Sequence, residues 1–353
     1  MPVTRLSFHF TIPRFIWRLY LKLNRMRTRQ AFAAALLAAT PALTGCFTHT
    51  HTVLKTRLPD IVYTTTLDHL LEQISDRYKA TQSANLFVEM SASTGGSREG
   101  KVTDSLYFSG YIILQNPDHI RVVLLVPMLR SRAMEMVSDG SSFKMVIPPK
   151  NCAIIGSDTS LPTQKGLYAL RPAVILDSLL IPPLQSGQNV SRTQDSRIIE
   201  APKTKAGIFN GSDLRKDLIE EPDYDVEFLS QPQDQVAKIL RVLHIGRSNL
   251  LPYQQDVYNA DGRIETKTLY SDYQKFGTIT FPTKIIIQRP LDELSLTITV
   301  SKEKTNFNHK LDADTFDLPL PPAAAVQNMN DPASAHSNPC VAHPAASASP
   351  PTP

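Results

Sequence analysis

The sequence predicts a mainly β protein with some α content, about ten or eleven meandering strands and two helices around one core, and three observations carry this. From Asn85 onward apolar side chains recur at every second position, the period of half-buried antiparallel strands. Turn chemistry separates these runs, at Asn116-Pro117-Asp118, Asp139-Gly140 and Asp261-Gly262. Two other stretches carry helical spacing instead.

The first element is a helix, because Leu67, Leu70, Leu71, Ile74 and Tyr78 line one face, Thr65 or Thr66 offers an N-cap and Asp68 lies in the first turn. Leu86, Val88 and Met90 then alternate with polar neighbours. Leu106, Phe108, Ile112 and Leu114 do so through Gly110, and Ile120, Val122, Leu124 and Val126 follow the first turn. A hairpin joins Met134 and Met136 to Phe143, Met145 and Ile147, and Pro148-Pro149 stops it. Residues 165–183 read as the second helix, with Pro172 suited to a first helical position, an apolar run from Val174 to Leu180, and Pro182-Pro183 at the end. Residues 184–222 are polar and turn-rich and read as a long loop. Strands are expected again at 224–229 and 239–245, in a hairpin about Asp261-Gly262, and at 278–288 and 294–300. The final stretch, 321–353, carries eight prolines with much Ala and Ser and reads as a disordered tail.

The front of the chain is of another character. Residues 1–45 hold seven Lys or Arg and no Asp or Glu, and they end in an apolar run from Ala31 to Ala42. A basic stretch, an apolar stretch of about a dozen residues and then small residues is the secretory order. The run is shorter than the roughly 20 residues a membrane-spanning helix needs. Leu43, Thr44, Gly45 and Cys46 match the lipobox of bacterial lipoproteins. That resemblance implies cleavage before Cys46 and acyl chains (palmitate) on its thiol, the covalent lipid being the only cofactor expected. Phe47 after the Cys, by resemblance to sorting rules in diderm bacteria, favours the outer membrane, facing the periplasm. The expected division is therefore 1–25 an upstream extension, with Met26 an alternative start, 26–45 a signal peptide, 46–63 a lipidated tether, 64–320 the folded domain and 321–353 the tail. Residues 8–23 read alternatively as a membrane-surface helix.

Charge and cysteine content bound the function. The chain has 37 basic and 33 acidic side chains; without the first 45 residues, 37 less seven leaves 30 against 33, a net charge near minus three. No nucleic-acid footprint remains. Past Cys46 only Cys152 and Cys340 are left; an exported domain could pair them, but nothing in the sequence fixes them within disulfide range, and the expectation is two free thiols. Without a CxxC there is no redox or zinc motif, and His49 and His51 read as polar spacer in the tether, so no metal is expected. GxSxG, HExxH, P-loop and GxGxxG motifs are absent, and His69, His119, His244 and His309 are scattered along the chain. The expectation is a binding or structural protein, not an enzyme.

A family resemblance rests on the order of these elements: the front helix, the strands through Gly110-Tyr111 and the Asn116-Pro117-Asp118 turn, and the hairpin from Met134 to Ile147. It rests also on Tyr270-Ser271-Asp272-Tyr273, Gly277, Phe281-Pro282-Thr283-Lys284-Ile285, Pro290 and a finish at 308–319 with Leu311 and Phe316. Together they resemble the LolA and LolB type of outer-membrane lipoprotein carrier and sorting domain, over about residues 64–320. The resemblance implies an incomplete antiparallel β-barrel wrapped around lid helices, with an apolar concavity that takes acyl chains. The candidate cavity residues are Leu86, Val88, Met90, Phe108, Ile112, Val122, Leu124, Met134, Met136, Phe143, Met145, Leu296 and Ile298. Met128, Met134, Met136 and Met145 suit either an adaptable apolar surface or core gaps, and Arg130 and Arg132 either lipid headgroups or exposed strand ends.

Two functions follow as expectations. One is an envelope lipoprotein whose concavity takes acyl chains, a lipoprotein or a lipid, in transport or outer-membrane localisation. The other is a non-carrier structural or assembly lipoprotein with a filled core, whose partner surface for envelope proteins lies in 184–222 or the tail.

Overall fold

Why the chain curls into an open trough follows from its pairing pattern, seen in a computed structural model that describes residues 56–96, 100–104, 107–158, 171–200, 218–233, 235–331 and 340. The extension, the signal peptide, the lipobox with Cys46, His49, His51 and Leu106 lie outside the described residues. Seventeen strands are described. In the first half they are β1 Thr56–Arg57, β2 Ser83–Gly96, β3 Lys101–Asp104, β4 Phe108–Gln115, β5 His119–Leu125, β6 Arg132–Ser138, β7 Ser142–Ile147 and β8 Cys152–Ser157. The second half adds β9 Asn189–Glu200, β10 Leu218–Leu229, β11 Ile239–Gly246, β12 Leu251–Tyr258, β13 Ile264–Phe276, β14 Ile279–Arg289, β15 Leu294–Val300, β16 Asn306–Phe307 and β17 Ala325–Asn328.

Antiparallel pairing runs unbroken from β9 through β10 to β15, crosses to β2, and continues through β4 to β8. β2 is the seam, pairing Val88–Thr94 with β15 and Ser83–Met90 with β4. β17 adds in parallel to β8, so among the described residues β9 and β17 end the main run of strands and the curved sheet stays open. Gly110 is required where β4 meets β5, because a Cβ there would lie 2.0 Å from the Val123 carbonyl oxygen.

Two helices lie on the concave face, the arrangement the sequence resemblance implied. α1, Leu67–Ala80, begins where the Thr66 hydroxyl accepts from the His69 amide at 3.3 Å. Its Leu70 and Ile74 pack on Tyr224, Val226, Phe228, Leu243 and Ile245 of β10 and β11. Full burial of a Leu such as Leu70 contributes about 1.5–3 kcal/mol. α2, Pro172–Leu179, starts with Pro172 in its first turn and buries Ile175, Leu176 and Leu179 against the inner faces of β2, β4–β8, β14 and β15. On the convex side, Leu318 covers Val137, Val146 and Ala153.

Four expectations are corrected. Among the described residues the strands number seventeen rather than ten or eleven, with β8 among those missed. The supposed loop at 184–222 contains β9 and the first five residues of β10. These segments carry no clean alternation because their outer faces pair polar groups, Arg197 with Glu221 in an ion pair at 2.6 Å and the Ser191 hydroxyl donating to Glu227 at 2.6 Å. The tail is not wholly unstructured: β17 pairs with β8 and Cys340 is fully buried. Cys152 and Cys340 are joined in a disulfide, Cα atoms 5.6 Å apart across a separation of 188 residues, rather than left as free thiols. Chain crossing the β8 edge brings them together, a contact no sequence spacing reveals.

Candidate functional site

A cleft of about 320 Å³ opens on the concave side between the end of α1, the segment leaving α2, and the floor of β13 and β14. Helical spacing puts Ile74, Arg77, Tyr78 and Thr81 on one flank. Leu179, Leu180 and Ile181 form the opposite wall, and Tyr270, Tyr273, Ile279 and Phe281 the floor. The walls are mostly apolar, and the polar groups among them are few and constrained. The Arg77 guanidinium donates to the Leu250 carbonyl at 3.1 Å, and burial holds its pKa below the usual arginine value. The Tyr273 hydroxyl donates to the Pro252 carbonyl at 2.7 Å, and burial raises its pKa. Tyr270, buried beside Thr268 and also raised by burial, has a hydroxyl with no well-formed hydrogen bond. A cavity of this size sits at the small end of the roughly 300–1,000 Å³ typical of ligand sites. Its walls are mostly apolar, with one cation, Arg77, and one carboxylate residue, Asp76, among them.

The residues the sequence nominated for a cavity fall elsewhere. Leu86, Val88, Met90, Ile112, Val122, Met136, Phe143, Met145, Leu296 and Ile298 are buried side by side in the core that α2 fills, with Leu124 and Met134 partly buried against it. Phe108 is half-buried. None of them lines the cleft. The methionines divide: Met136 and Met145 are core, whereas Met128 is 99% exposed on the turn between β5 and β6 beside Leu129 at 78%. Arg130 shares that turn, and Arg132 pairs with Glu135 at 2.8 Å.

The histidines stay apart. His69 faces Glu72 at 3.5 Å, His119 bonds Asp118 at 2.6 Å, and His244 lies between Asp225 at 2.6 Å and Asp256 at 3.4 Å. Burial alone would lower His244, but its two carboxylate hydrogen bonds outweigh that and raise it to about 9. Among the described residues no group of three or more His, Cys, Asp or Glu is arranged for a metal, and no helix is long and apolar enough to cross a membrane.

Sequence reasoning missed Arg77, Tyr270 and Tyr273 as site residues. The available signal was a cation three positions after Ile74 within the apolar stripe of α1.

No protein-family model matches the chain, and no curated protein matches it. Among solved structures it is similar to a LolA superfamily protein from Nitrosomonas europaea, at 15% identity, 72% of this chain, 99% of that chain and TM-score 0.42. It is also similar to a DUF1329 family protein from Desulfovibrio piger, at 14% identity, 70% and 95% coverage and TM-score 0.41. A third is a domain described as an outer membrane lipoprotein-sorting protein from Vibrio parahaemolyticus, at 9% identity, 70% and 95% coverage and TM-score 0.44.

Proposed function

We propose that this chain is a non-enzymatic envelope protein, anchored by lipid at Cys46, that shelters a single acyl chain in the cleft beside α1 and serves lipid or lipoprotein localisation at the outer membrane. The observation that carries the reading is the apolar cleft with Arg77 among its walls, open on the concave side of the sheet. Arg77 supplies positive charge for a carboxylate or phosphate head while the apolar walls take the chain. Each methylene withdrawn from water contributes about 0.8 kcal/mol. A bilayer offers nearly the same, so exchange between cleft and membrane is close to balanced.

Two further features support this setting. A disulfide between Cys152 and Cys340 suits an oxidising compartment outside the cytoplasm. Exposed Met128 and Leu129, with Arg130 beside them, present an apolar tip and a cation suited to a lipid surface. The filled core under α2 favours a second reading, a structural or assembly lipoprotein whose surface, not its interior, is the working part.

A direct fluorescence titration separates them. The full-length chain is titrated with dansylaminoundecanoic acid, alongside Ala80→Trp, which fills the cleft from an exposed position, and Arg77→Gln. Saturable fluorescence lost in the first variant and weakened about tenfold in the second is expected. Equal binding by all three, or none by the parent, would leave only the second reading.

A further inference from the structure

Among the described strands β9 hydrogen-bonds to β10 alone, so one side of a twelve-residue strand faces outward. Long edges of this kind are templates for further pairing, and proteins blunt them with proline, lysine, bulges or short length. β9 carries none of these devices. It holds no Pro, Gly or Lys, and its register with β10 runs from Asn189 opposite Leu229 to Glu200 opposite Leu218 without a shift. Thr193, Gln194, Asp195 and Ser196 are exposed, and Ile198 keeps 65% of its surface in water.

Two hydrogen bonds fix which main-chain groups of β9 point out. Ser196 lies opposite Pro222, whose carbonyl accepts from the Arg247 amide at 3.0 Å on the β11 side. That pair therefore exchanges no bonds across the β9–β10 ladder, and the N–H and C=O of Ser196 point away from β10. Accordingly the Ser196 amide donates to the side chain of its own neighbour, Asp195 Oδ1, at 2.8 Å. By alternation the main-chain groups of Arg192, Gln194 and Ile198 point the same way, and among the described residues no main-chain partner meets them.

Charge decides the partner. Pairing β9 antiparallel with a second copy of itself about Ser196 sets Asp195 opposite Arg197 and Arg192 opposite Glu200, each twice by symmetry. Centring on Asp195 or on Arg197 instead sets that residue opposite itself, and like charges directly opposite are destabilising. Arg197 gives two donors to Glu221 and Arg192 one to the Thr65 carbonyl, so both guanidinium groups keep N–H donors for the second copy. We infer that β9 is a homodimer interface, at which two copies join their sheets antiparallel and two-fold about Ser196 through about ten main-chain hydrogen bonds. On pairing, the Ser196 amide passes from Asp195 to the carbonyl of the opposite strand, and Asp195 turns to Arg197 of the partner subunit. The interface is separate from the acyl cleft and stands whether or not that cleft holds lipid.

Sedimentation equilibrium of the full-length chain in detergent, over about 1 to 100 µM, tests it, and a reversible dimer is expected. Ser196→Lys, at an exposed position, sets like charges against each other at the axis and is expected to weaken association about tenfold with unchanged circular dichroism. Register is read with a short bismaleimide. In Ser196→Cys the two copies of the position lie about 5.5 Å apart, Cα to Cα, and cross-linking above the parent background is expected. In Thr193→Cys they are offset by six residues, about 20 Å, and cross-linking is expected to stay at that background. The inference is overturned by a monomer across the whole concentration range, which would leave the edge to a strand from another protein. It is overturned equally by Ser196→Lys associating like the parent, or by Ser196→Cys cross-linking no better than Thr193→Cys.

Discussion

Removing the bond between Cys152 and Cys340 tests the covalent long-range contact of the described residues. The two residues are 188 apart in sequence, and cross-linking so long a loop withdraws unfolded-state entropy worth about 5 kcal/mol at 25 °C. Both positions are fully buried, so Cys340→Ala is the cleaner perturbation: Ser would add a buried hydroxyl costing about 1–3 kcal/mol. Lys150, which donates to the Cys340 carbonyl at 2.6 Å, and the pairing of β17 with β8 survive the substitution and hold the tail only weakly. A domain of this size loses roughly 2–4 °C per kcal/mol, so melting falls by about 10–20 °C. Urea unfolding of parent and variant, each with and without dithiothreitol, checks this. The parent is expected to drop to the level of the variant on reduction, and the variant not to respond. Coincident midpoints in all four samples would refute the argument, as would two alkylated thiols found by intact mass in the unreduced parent.

Gly110→Ala is expected to prevent folding or cost more than about 3 kcal/mol, because its Cβ meets backbone oxygen; Gly262→Ala, with φ 74° and nothing within 4 Å, costs only about 1–2 kcal/mol, both read from urea midpoints. His244 is raised above the unfolded value, so its ion pairs stabilise fully below about pH 6.5 and are lost as pH rises through about 9. Thermal melts from pH 6 to 10 are expected to fall for the parent and to fall less for His244→Gln. Leu70→Ala, truncating a fully buried anchor of α1, is expected to cost about 2–5 kcal/mol in urea unfolding. Thr66→Ala loses the N-cap of the same helix and costs about 1 kcal/mol by the same measurement.

Local physics made much of the fold legible. α1 is written in the spacing of Leu67, Leu70 and Ile74 and the cap at Thr66, since both signals act within a few residues. The hairpins at Asp139-Gly140 and Asp261-Gly262 are where the turn pairs put them, with Gly140 at φ 83° and Gly262 at φ 74°. β9 and the start of β10 were hidden because their outer faces pair polar groups: Glu221 and Asp223 are buried against Arg197 and Tyr253, so polar letters do not mean solvent there. The methionines were ambiguous for a related reason: a thioether suits a core and a surface alike, and register sent Met136 inward while the turn sent Met128 out.

Alternation and turn chemistry in the sequence determined that the chain is an antiparallel, mainly β domain with an amphipathic helix in front, and which face of most strands is apolar. Where that apolar face is filled and where it is open was decided only by tertiary structure. α2 covers the surface of β2 and β4–β7, and the remaining gap falls beside Arg77, Tyr270 and Tyr273, strands away from the residues that looked most like a cavity. Periodicity reports that a side chain leaves water. It carries no information about which partner replaces the water, because that depends on contacts between segments up to 228 residues apart.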